Sequence, residues 1–229
     1  MTTCLFDPAP TPLAIVKGTE ARYPIRRIFC VGRNYEAHAR EMGVVVDREA
    51  PFYFTKSALA YLPSGSTIPY PPGTENYHYE MELVVAIGKA GFEIAPDDAL
   101  SHVFGYACGL DMTRRDLQLA ARAKQRPWDL GKDFEQSAVL SPIVPVAESG
   151  HPTGGLLELR VDGETRQSTD LSLLVWSVAE LIAHLSRFYH LEPGDLIYTG
   201  TPEGVGPVVA GQTIEGSIEG LGGISLTIA

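Results

Sequence analysis

The segment HYEMELVVAIG at residues 78–88 restricts the fold more than any other part of the chain. Its alternate positions form one continuous apolar face: Tyr79, Met81, Leu83, Val85 and Ile87. The other face begins with Glu80 and Glu82 and continues with Val84 and Ala86. Because side chains alternate across a strand, the segment becomes apolar on both sides soon after the acids. We therefore predict a strand buried on both faces, with the two carboxylates at the mouth of the core.

Shorter apolar runs predict the remaining strands. They lie at residues 27–32, 52–55, 103–111 and 157–170, and short strands fill the chain from residue 194 to its end. Residues 157–170 indicate a hairpin, because Asp162-Gly163 is a typical two-residue turn. The proline-rich residues 62–76 are unsuited to a central strand, since proline cannot donate a ladder hydrogen bond.

Three peripheral helices are predicted. The first covers residues 35–42, with Asn34 as its cap and Gly43 as its stop, and the second covers about 113–124. A capping-box pattern starts the third at Ser177 and Glu180. Its apolar stripe consists of Leu181, Ile182, Leu185 and Phe188. Strands and helices do not alternate in a βαβ rhythm, which argues against a Rossmann or TIM fold and predicts a β-rich α+β domain.

The chain length suits one catalytic domain over residues 1–229, with an N-terminal strand and loops over residues 1–25. A net charge of −10 has the wrong sign for nucleic acid or anionic membranes, so we expect neither as a partner. No signal peptide is evident, and no apolar run approaches the ~18 residues of a membrane helix. The cysteines Cys4, Cys30 and Cys108 are far apart and indicate no disulfide or zinc site, so we expect a cytoplasmic protein.

Three carboxylates are candidates for a metal centre. Glu80 and Glu82 share a strand face in a partly dry place, where they would repel each other unless a cation neutralised them. Oxygen ligands favour Mg²⁺, Mn²⁺ or Ca²⁺ over zinc. Asp111 ends a second apolar strand just before a helix, so it is either an ordinary helix cap or a third ligand. The alternative for the two glutamates is the solvent face of a half-buried sheet.

Other side chains allow a catalytic or an ordinary interpretation. His38 and Glu41 share a helix face, either as an exposed pair or as an imidazole that a carboxylate prepares to deprotonate water. Lys56 ends a strand, and Lys132 lies in a loop-to-strand passage, PWDLGKDF; each alone suggests a surface lysine. Arg115, with its neighbour Arg114, and Gln118 lie on the helix after Asp111 and can lean over one cleft.

Six stretches, in order and at matching spacing, resemble the fumarylacetoacetate hydrolase family from about residue 27 to 228. They are VGRNYEAHAREMG, the strand ending in Lys56, HYEMELVVAIGK, GYACGLDMTRRDLQ, RPWDLGKDF and GDLIYTGTPEGVGP. Within the family, PFYFTKS and IPYPPGTEN look most like the branch that hydrolyses fumarylpyruvate in gentisate-type aromatic degradation. The acylpyruvase and oxaloacetate decarboxylase branch is next. The chain departs from the family pattern at Tyr79, Ser57 and Gly131, and Ser57 leaves the aim of Lys56 open.

The resemblance implies mixed, rolled β-sheets with few helices, a homodimer, and hydrolysis of a carbon–carbon bond in a 2,4-diketo acid. It assigns Glu80, Glu82 and Asp111 as ligands of a divalent metal, which we expect to be Mg²⁺. It assigns water activation to His38 with Glu41, stabilisation of developing negative charge to Lys132, and substrate contact to Gln118, Arg115 and Thr201. Decarboxylation or tautomerisation on the same site and an inactive metal-binding interaction domain remain alternatives.

A fumarylpyruvate hydrolase also needs a cation for the carboxylate at the far end of its substrate. The candidates are Arg33, Lys56, Arg114 and Arg115, and we favour Arg115 because it lies beside Gln118. A basic run of Arg122, Lys124 and Arg126 either assists in attracting the anionic substrate or is a solvated helix end.

Overall fold

A computed structural model of the chain describes residues 4–7, 9–43, 46 and 48–229. Its strands are β1 (Leu13–Ile15), β2 (Arg22–Pro24), β3 (Arg27–Gly32), β4 (Phe52–Lys56), β5 (Tyr61–Pro63), β6 (Ser66–Ile68), β7 (Tyr77–Tyr79), β8 (Met81–Ile87), β9 (Val103–Asp111), β10 (Thr113–Arg114), β11 (Ala138–Leu140), β12 (Val144–Pro145), β13 (Leu156–Val161), β14 (Glu164–Asp170), β15 (Asp195–Tyr198), β16 (Gly206–Val208), β17 (Thr213–Ile218) and β18 (Gly222–Ile228). Its α-helices are α1 (Glu36–Glu41), α2 (Arg115–Ala123), α3 (Asp129–Lys132), α4 (Val146–Ser149) and α5 (Val178–Leu185). Short 3-10 helices cover Ala58–Ala60, Pro96–His102 and Leu171–Leu173.

The central element is an eight-stranded mixed sheet in the order β4-β3-β15-β8-β9-β11-β5, with β12 paired to β9. All residues of β8 are buried. Its alternate side chains enter two separate apolar clusters: Met81, Leu83, Val85 and Ile87 on one side, and Val84 and Ala86 on the other. The prediction of a strand covered on both faces is therefore confirmed.

A second sheet of five strands, in the order β14-β13-β17-β18-β6, covers one face of this core. The predicted hairpin is formed by β13 and β14, and Asp162 and Gly163 both have the positive φ that its turn requires. Strands β5 and β6, from the proline-rich segment, lie at the edges of the two large sheets, where missing donors do not break a ladder. The architecture is β-rich with peripheral helices, as the sequence predicts.

Several local predictions are wrong. Asn34 does not cap α1; its side chain joins the loops at Trp176 and Thr199 instead. Lys132 ends the one-turn helix α3, and α2 begins only at Arg115 because Thr113 and Arg114 pair with β7. The capping box of α5 is present, but α5 ends before the exposed Phe188, which does not continue its buried stripe.

Among the described residues, no helix is long and apolar enough to cross a membrane.

Candidate metal centre and active site

Strand pairing brings three buried carboxylates together. Glu80 interrupts the strand between β7 and β8, Glu82 lies in β8, and Asp111 ends the antiparallel neighbour β9. The backbone N–H of Asp111 donates to the carbonyl of Glu80 at 2.9 Å, which fixes the two residues opposite each other. One oxygen from each carboxylate lies within 4.8 Å of the other two, and all three residues are buried. Neither ordinary interpretation holds: the glutamates do not face solvent, and Asp111 does not cap α2.

Lys132 and Arg115 neutralise part of this negative charge. The Lys132 ammonium lies 2.6 Å from Glu80 Oε2 and 2.7 Å from Asp111 Oδ2, and Arg115 forms an ion pair with Glu80. Burial alone would raise the pKa of Glu80, but the charges of Lys132 and Arg115 outweigh it and hold that pKa below its usual value. Burial lowers the pKa of Lys132, yet Asp111 and Glu80 raise it by more, so the amine stays charged.

Glu82 differs from its two neighbours because no cation pairs with it among the described residues. Burial and the charges of Asp111 and Glu80 raise its pKa well above the ordinary range. Its Oε2 accepts one hydrogen bond, at 2.7 Å, from the backbone N–H of Gly200. Gly200 has φ +102, and a Cβ there would lie 2.8 Å from the Cβ of Asn34, so only glycine brings this N–H close enough.

The donor set fits a hard divalent cation. Asp111 Oδ1 is buried and accepts no hydrogen bond. Lys56 Nζ lies 2.8 Å from it, but the N–H groups of that amine point to Ser137 Oγ and to the carbonyls of Met112 and Lys132. A bound cation would coordinate this oxygen, which otherwise has only the ion pair with Lys56, and would let Glu82 ionise.

His38 and Glu41 form the expected pair beside these carboxylates. The His38 Nδ1 and Glu41 Oε2 atoms are 3.1 Å apart, and the imidazole is buried. Glu41 Oε1 also accepts from the backbone N–H of Gly204 at 3.1 Å, which ties α1 to the loop after β15. An ionised carboxylate only accepts hydrogen bonds, so this contact favours a proton on Nδ1 and leaves Nε2 as a base.

Helices α2 and α3 place Arg115 and Lys132 beside Glu80, and Gln118 beside Arg115. Arg115 donates to Gln118 Oε1, and both side chains are buried. A Cβ at Gly131 would lie 2.8 Å from the backbone nitrogen of Gln118, so a glycine at this position allows α3 to pack against α2 and insert Lys132. His78 accepts from Arg115 and contacts Asn76; burial and the charge of Arg115 lower its pKa to about 4.

A single cleft collects most of the predicted residues. Its lining includes Arg33, His38, Glu80, Glu82, Arg115, Gln118 and Thr201, together with Val31, Gly32, Met42, Phe54, Arg122 and Trp128. Thr201 is buried and accepts from Gln167 Nε2 at 2.9 Å.

Two of the candidate cations lie outside the cleft lining. Lys56 does not line the cleft, because its buried amine binds Ser137, two backbone carbonyls and Asp111 instead. Arg114 stacks over the Phe134 ring at 4.1 Å and is also outside the lining. Arg115 lines the cleft, but its charge is already used by Glu80, which makes it a poor partner for a distant carboxylate.

The sequence named Arg122 only as part of a basic run and did not place it, or the apolar side chains Met42, Phe54 and Trp128, in the cleft lining. Arg122 follows Gln118 by four residues and Arg115 by seven, so helical spacing puts it on the same face of α2. Lys124 and Arg126, the other members of its basic run, are exposed and do not line the cleft. Helix periodicity was therefore the available signal.

Known proteins resemble the chain over most of its length. The model of the fumarylacetoacetate (FAA) hydrolase C-terminal family matches residues 27–229. A fumarylpyruvate hydrolase of a Ralstonia species is 58% identical, over 82% of this chain and 98% of its own length. The mitochondrial oxaloacetate tautomerase of Homo sapiens is 43% identical, over 88% of this chain and 90% of its own.

Solved structures also resemble the chain over nearly its whole length. The crystal structure of fumarylpyruvate hydrolase from Pseudomonas aeruginosa in complex with Mn²⁺ and pyruvate matches with a TM-score of 0.96 and 51% identity, and 99% of each chain is covered. A putative fumarylpyruvate hydrolase from Burkholderia cenocepacia matches with a TM-score of 0.93 and 45% identity, over 100% of this chain and 99% of that one. The protein belongs to the fumarylacetoacetate hydrolase family, and the fold expected from the resemblance is confirmed.

Proposed function

We propose that the protein is a metal-dependent hydrolase that cleaves fumarylpyruvate, a 2,4-diketo acid, into fumarate and pyruvate. The observation that carries the proposal is that two of three converging buried carboxylates line one cleft with the histidine of a histidine–glutamate pair. The likeness to fumarylpyruvate hydrolases over nearly the whole chain supports the substrate. A binding domain has no need of the His38–Glu41 pair, which counts against an inactive interaction module.

In this mechanism His38 is the general base. Its Nε2 takes a proton from a water molecule as the water oxygen attacks the carbonyl carbon farther from the pyruvate end. Glu41, bound to Nδ1, holds the ring and stabilises the imidazolium that forms. The bond between that carbonyl carbon and the adjacent methylene then breaks, and its electron pair passes to the pyruvate fragment as an enolate. The proton that His38 took from water then passes to the enolate carbon, which gives pyruvate and returns the imidazole to its neutral form.

Lys132 pairs with Glu80 and Asp111 just outside the cleft lining, and its ammonium becomes available to the enolate charge when a bound cation takes over these carboxylates. Its ammonium remains charged in a buried setting, where an ion interacts more strongly than in water. A divalent cation held by Glu80, Glu82 and Asp111 would act as a Lewis acid toward the carboxylate and keto oxygens of the substrate. Thr201 and Gln118 line the cleft and orient the diketo acid.

Three carboxylates and no soft ligand favour Mg²⁺ or Mn²⁺, with Ca²⁺ as a further option, and we propose Mg²⁺ as the ion used in the cell. The complex of the Pseudomonas aeruginosa enzyme with Mn²⁺ supports a divalent ion. We further propose a cytoplasmic homodimer acting in aromatic degradation. The free state of all three cysteines supports a reducing compartment. Light scattering of the purified protein tests the dimer.

Oxaloacetate is the second candidate substrate, because relatives at 41–43% identity are oxaloacetate tautomerases. A four-carbon acid would occupy only the carboxylate end of the cleft. The lining continues along α2 to Arg122 and also includes Trp128, the residue before α3, which favours a longer substrate.

The test is a substrate panel. The purified protein with Mg²⁺ is incubated with fumarylpyruvate, acetylpyruvate and oxaloacetate, while enol absorbance and the products are followed. We expect fumarylpyruvate to give fumarate and pyruvate in equal amounts and to have the highest kcat/KM. Faster conversion of oxaloacetate, by loss of carbon dioxide or by a proton shift alone, would reject the proposal.

A further inference from the structure

Two arginines at the cleft have no carboxylate partner among the described residues. Arg33 and Arg122 are both half-buried and both line the cleft. Arg122 makes one hydrogen bond, to the Met42 carbonyl at 3.3 Å. The Arg33 guanidinium lies 5.5 Å from the ring centre of Phe52. Half-buried cations without a carboxylate partner are available to bind an anion.

The other cations near the cleft are already neutralised or turned away. Lys132 and Arg115 pair with Glu80, and Lys56 is enclosed beside Asp111. Arg114 stacks on Phe134 away from the lining. An anionic group that enters the cleft away from the three carboxylates therefore meets Arg33 and Arg122.

The position of Arg122 on α2 sets a distance. Arg115, Gln118 and Arg122 follow one face of the helix, and the seven residues from Arg115 to Arg122 span roughly 10 Å at 1.5 Å per residue. Arg115 marks the carboxylate end of the cleft through its ion pair with Glu80. An extended seven-carbon diacid measures about 7–8 Å between its carboxyl carbons, from carbon–carbon bonds near 1.5 Å. If one carboxylate of such a diacid binds beside Glu80 and Arg115, its other carboxylate therefore lies near Arg122.

The cleft wall also includes apolar side chains, as a carbon chain requires. Met42, Phe54 and Trp128 contribute this part of the lining. Arg33 has φ +61, an uncommon conformation for a residue with a side chain, and such conformations concentrate at functional sites.

We propose that Arg122, together with Arg33, binds the carboxylate at the far end of the substrate and so selects diketo acids that end in a second carboxylate. This inference rests on the proposed function and extends it to specificity. Arg122 and Arg33 take the role that the sequence suggested for Arg115. Diketo acids without this carboxylate, such as acetylpyruvate, whose methyl group sits directly on the distal carbonyl, do not make this contact.

The experiment compares kcat/KM for fumarylpyruvate and acetylpyruvate in the wild type, Arg122→Met, Arg122→Lys and Arg33→Met. Lys124→Met, an exposed position at the end of the same helix, is the control. In Arg122→Met we expect the fumarylpyruvate-to-acetylpyruvate ratio to fall about ten- to a hundredfold, as for a lost charge-assisted contact. Activity on acetylpyruvate should persist and report that the variant is folded. Arg122→Lys should restore part of the ratio, Arg33→Met should lower it, and Lys124→Met should leave it unchanged.

Inhibition by the products gives a second measurement. Arg122→Met should weaken inhibition by fumarate and leave inhibition by pyruvate unchanged. A ratio that stays at the wild-type value in both arginine variants would overturn the inference but not the proposed function. The same holds if Arg122→Met slows both substrates equally, because Arg122 would then only support the Met42 carbonyl. A wild type that prefers acetylpyruvate or oxaloacetate would overturn the proposed function, and the inference with it.

Discussion

Replacing Lys132 with methionine tests whether its amine and a metal ion neutralise the same carboxylates. The ammonium is buried and contacts Glu80, Asp111 and Thr113 Oγ1 at 2.6–2.7 Å. Removing one partner of a buried ion pair costs about 3–5 kcal/mol. Arg115 remains beside Glu80 and Lys56 beside Asp111, so we expect the lower end, about 3 kcal/mol. For a chain of this size that corresponds to a fall in Tm of roughly 6–12 °C without metal.

The assay is thermal unfolding of the parent and Lys132→Met in EDTA and in saturating Mn²⁺, with Lys124→Met as the control. Binding to the folded state alone raises Tm, and the variant gains more because the ion replaces a missing charge. The metal-induced rise in Tm should therefore be larger in Lys132→Met than in the parent, while its turnover stays low. A metal-free Tm within about 2 °C of the parent, or equal metal-induced shifts in both proteins, would refute this reasoning.

Three further predictions concern the base, a glycine and the metal ligands. His38→Ala should lower kcat by ~10²–10⁴, as for a lost general base, and retain metal affinity, and Glu41→Gln should lower kcat by less. Steady-state kinetics measures kcat and calorimetry measures metal affinity. Wild-type turnover in His38→Ala would disprove the assignment of His38 as the base. Gly200→Ala should weaken metal binding and lower the free energy of unfolding more than Gly211→Ala, because both residues have positive φ but only Gly200 has close neighbours; urea titration measures both. Metal affinity should fall as pH falls, because the raised pKa of Glu82 makes the ion compete with a proton. Metal binding should therefore release a proton, which calorimetry in buffers of different ionisation enthalpy measures, and Glu82→Gln should remove this release.

The fold was predictable where local and global signals agreed. Strand β8 follows from its two apolar faces, and the β13–β14 hairpin and the α5 capping box follow from short-range chemistry. Asn34 shows where this reasoning stops. Its type and position suit a helix cap, but the segments it joins, near Trp176 and Thr199, are more than a hundred residues away in sequence.

The sequence predicted which residues form the candidate site better than it predicted which of them contact each other. The family resemblance pointed to the three carboxylates and to the His38–Glu41 pair, and the structure brings these side chains together. Which cation faces which anion depends on strand register and on the packing of α3 against α2 through Gly131. For that reason, the sequence did not reveal that Arg115 pairs with Glu80.

The proposed reaction depends most on a divalent ion bound by Glu80, Glu82 and Asp111. Anomalous diffraction at the manganese edge, from crystals grown with Mn²⁺, tests this directly. We expect one strong peak with oxygens of all three carboxylates at about 2.0–2.6 Å. A peak elsewhere would contradict a metal site at these carboxylates. So would the absence of a peak in a structure where the Lys132 amine still lies between Glu80 and Asp111.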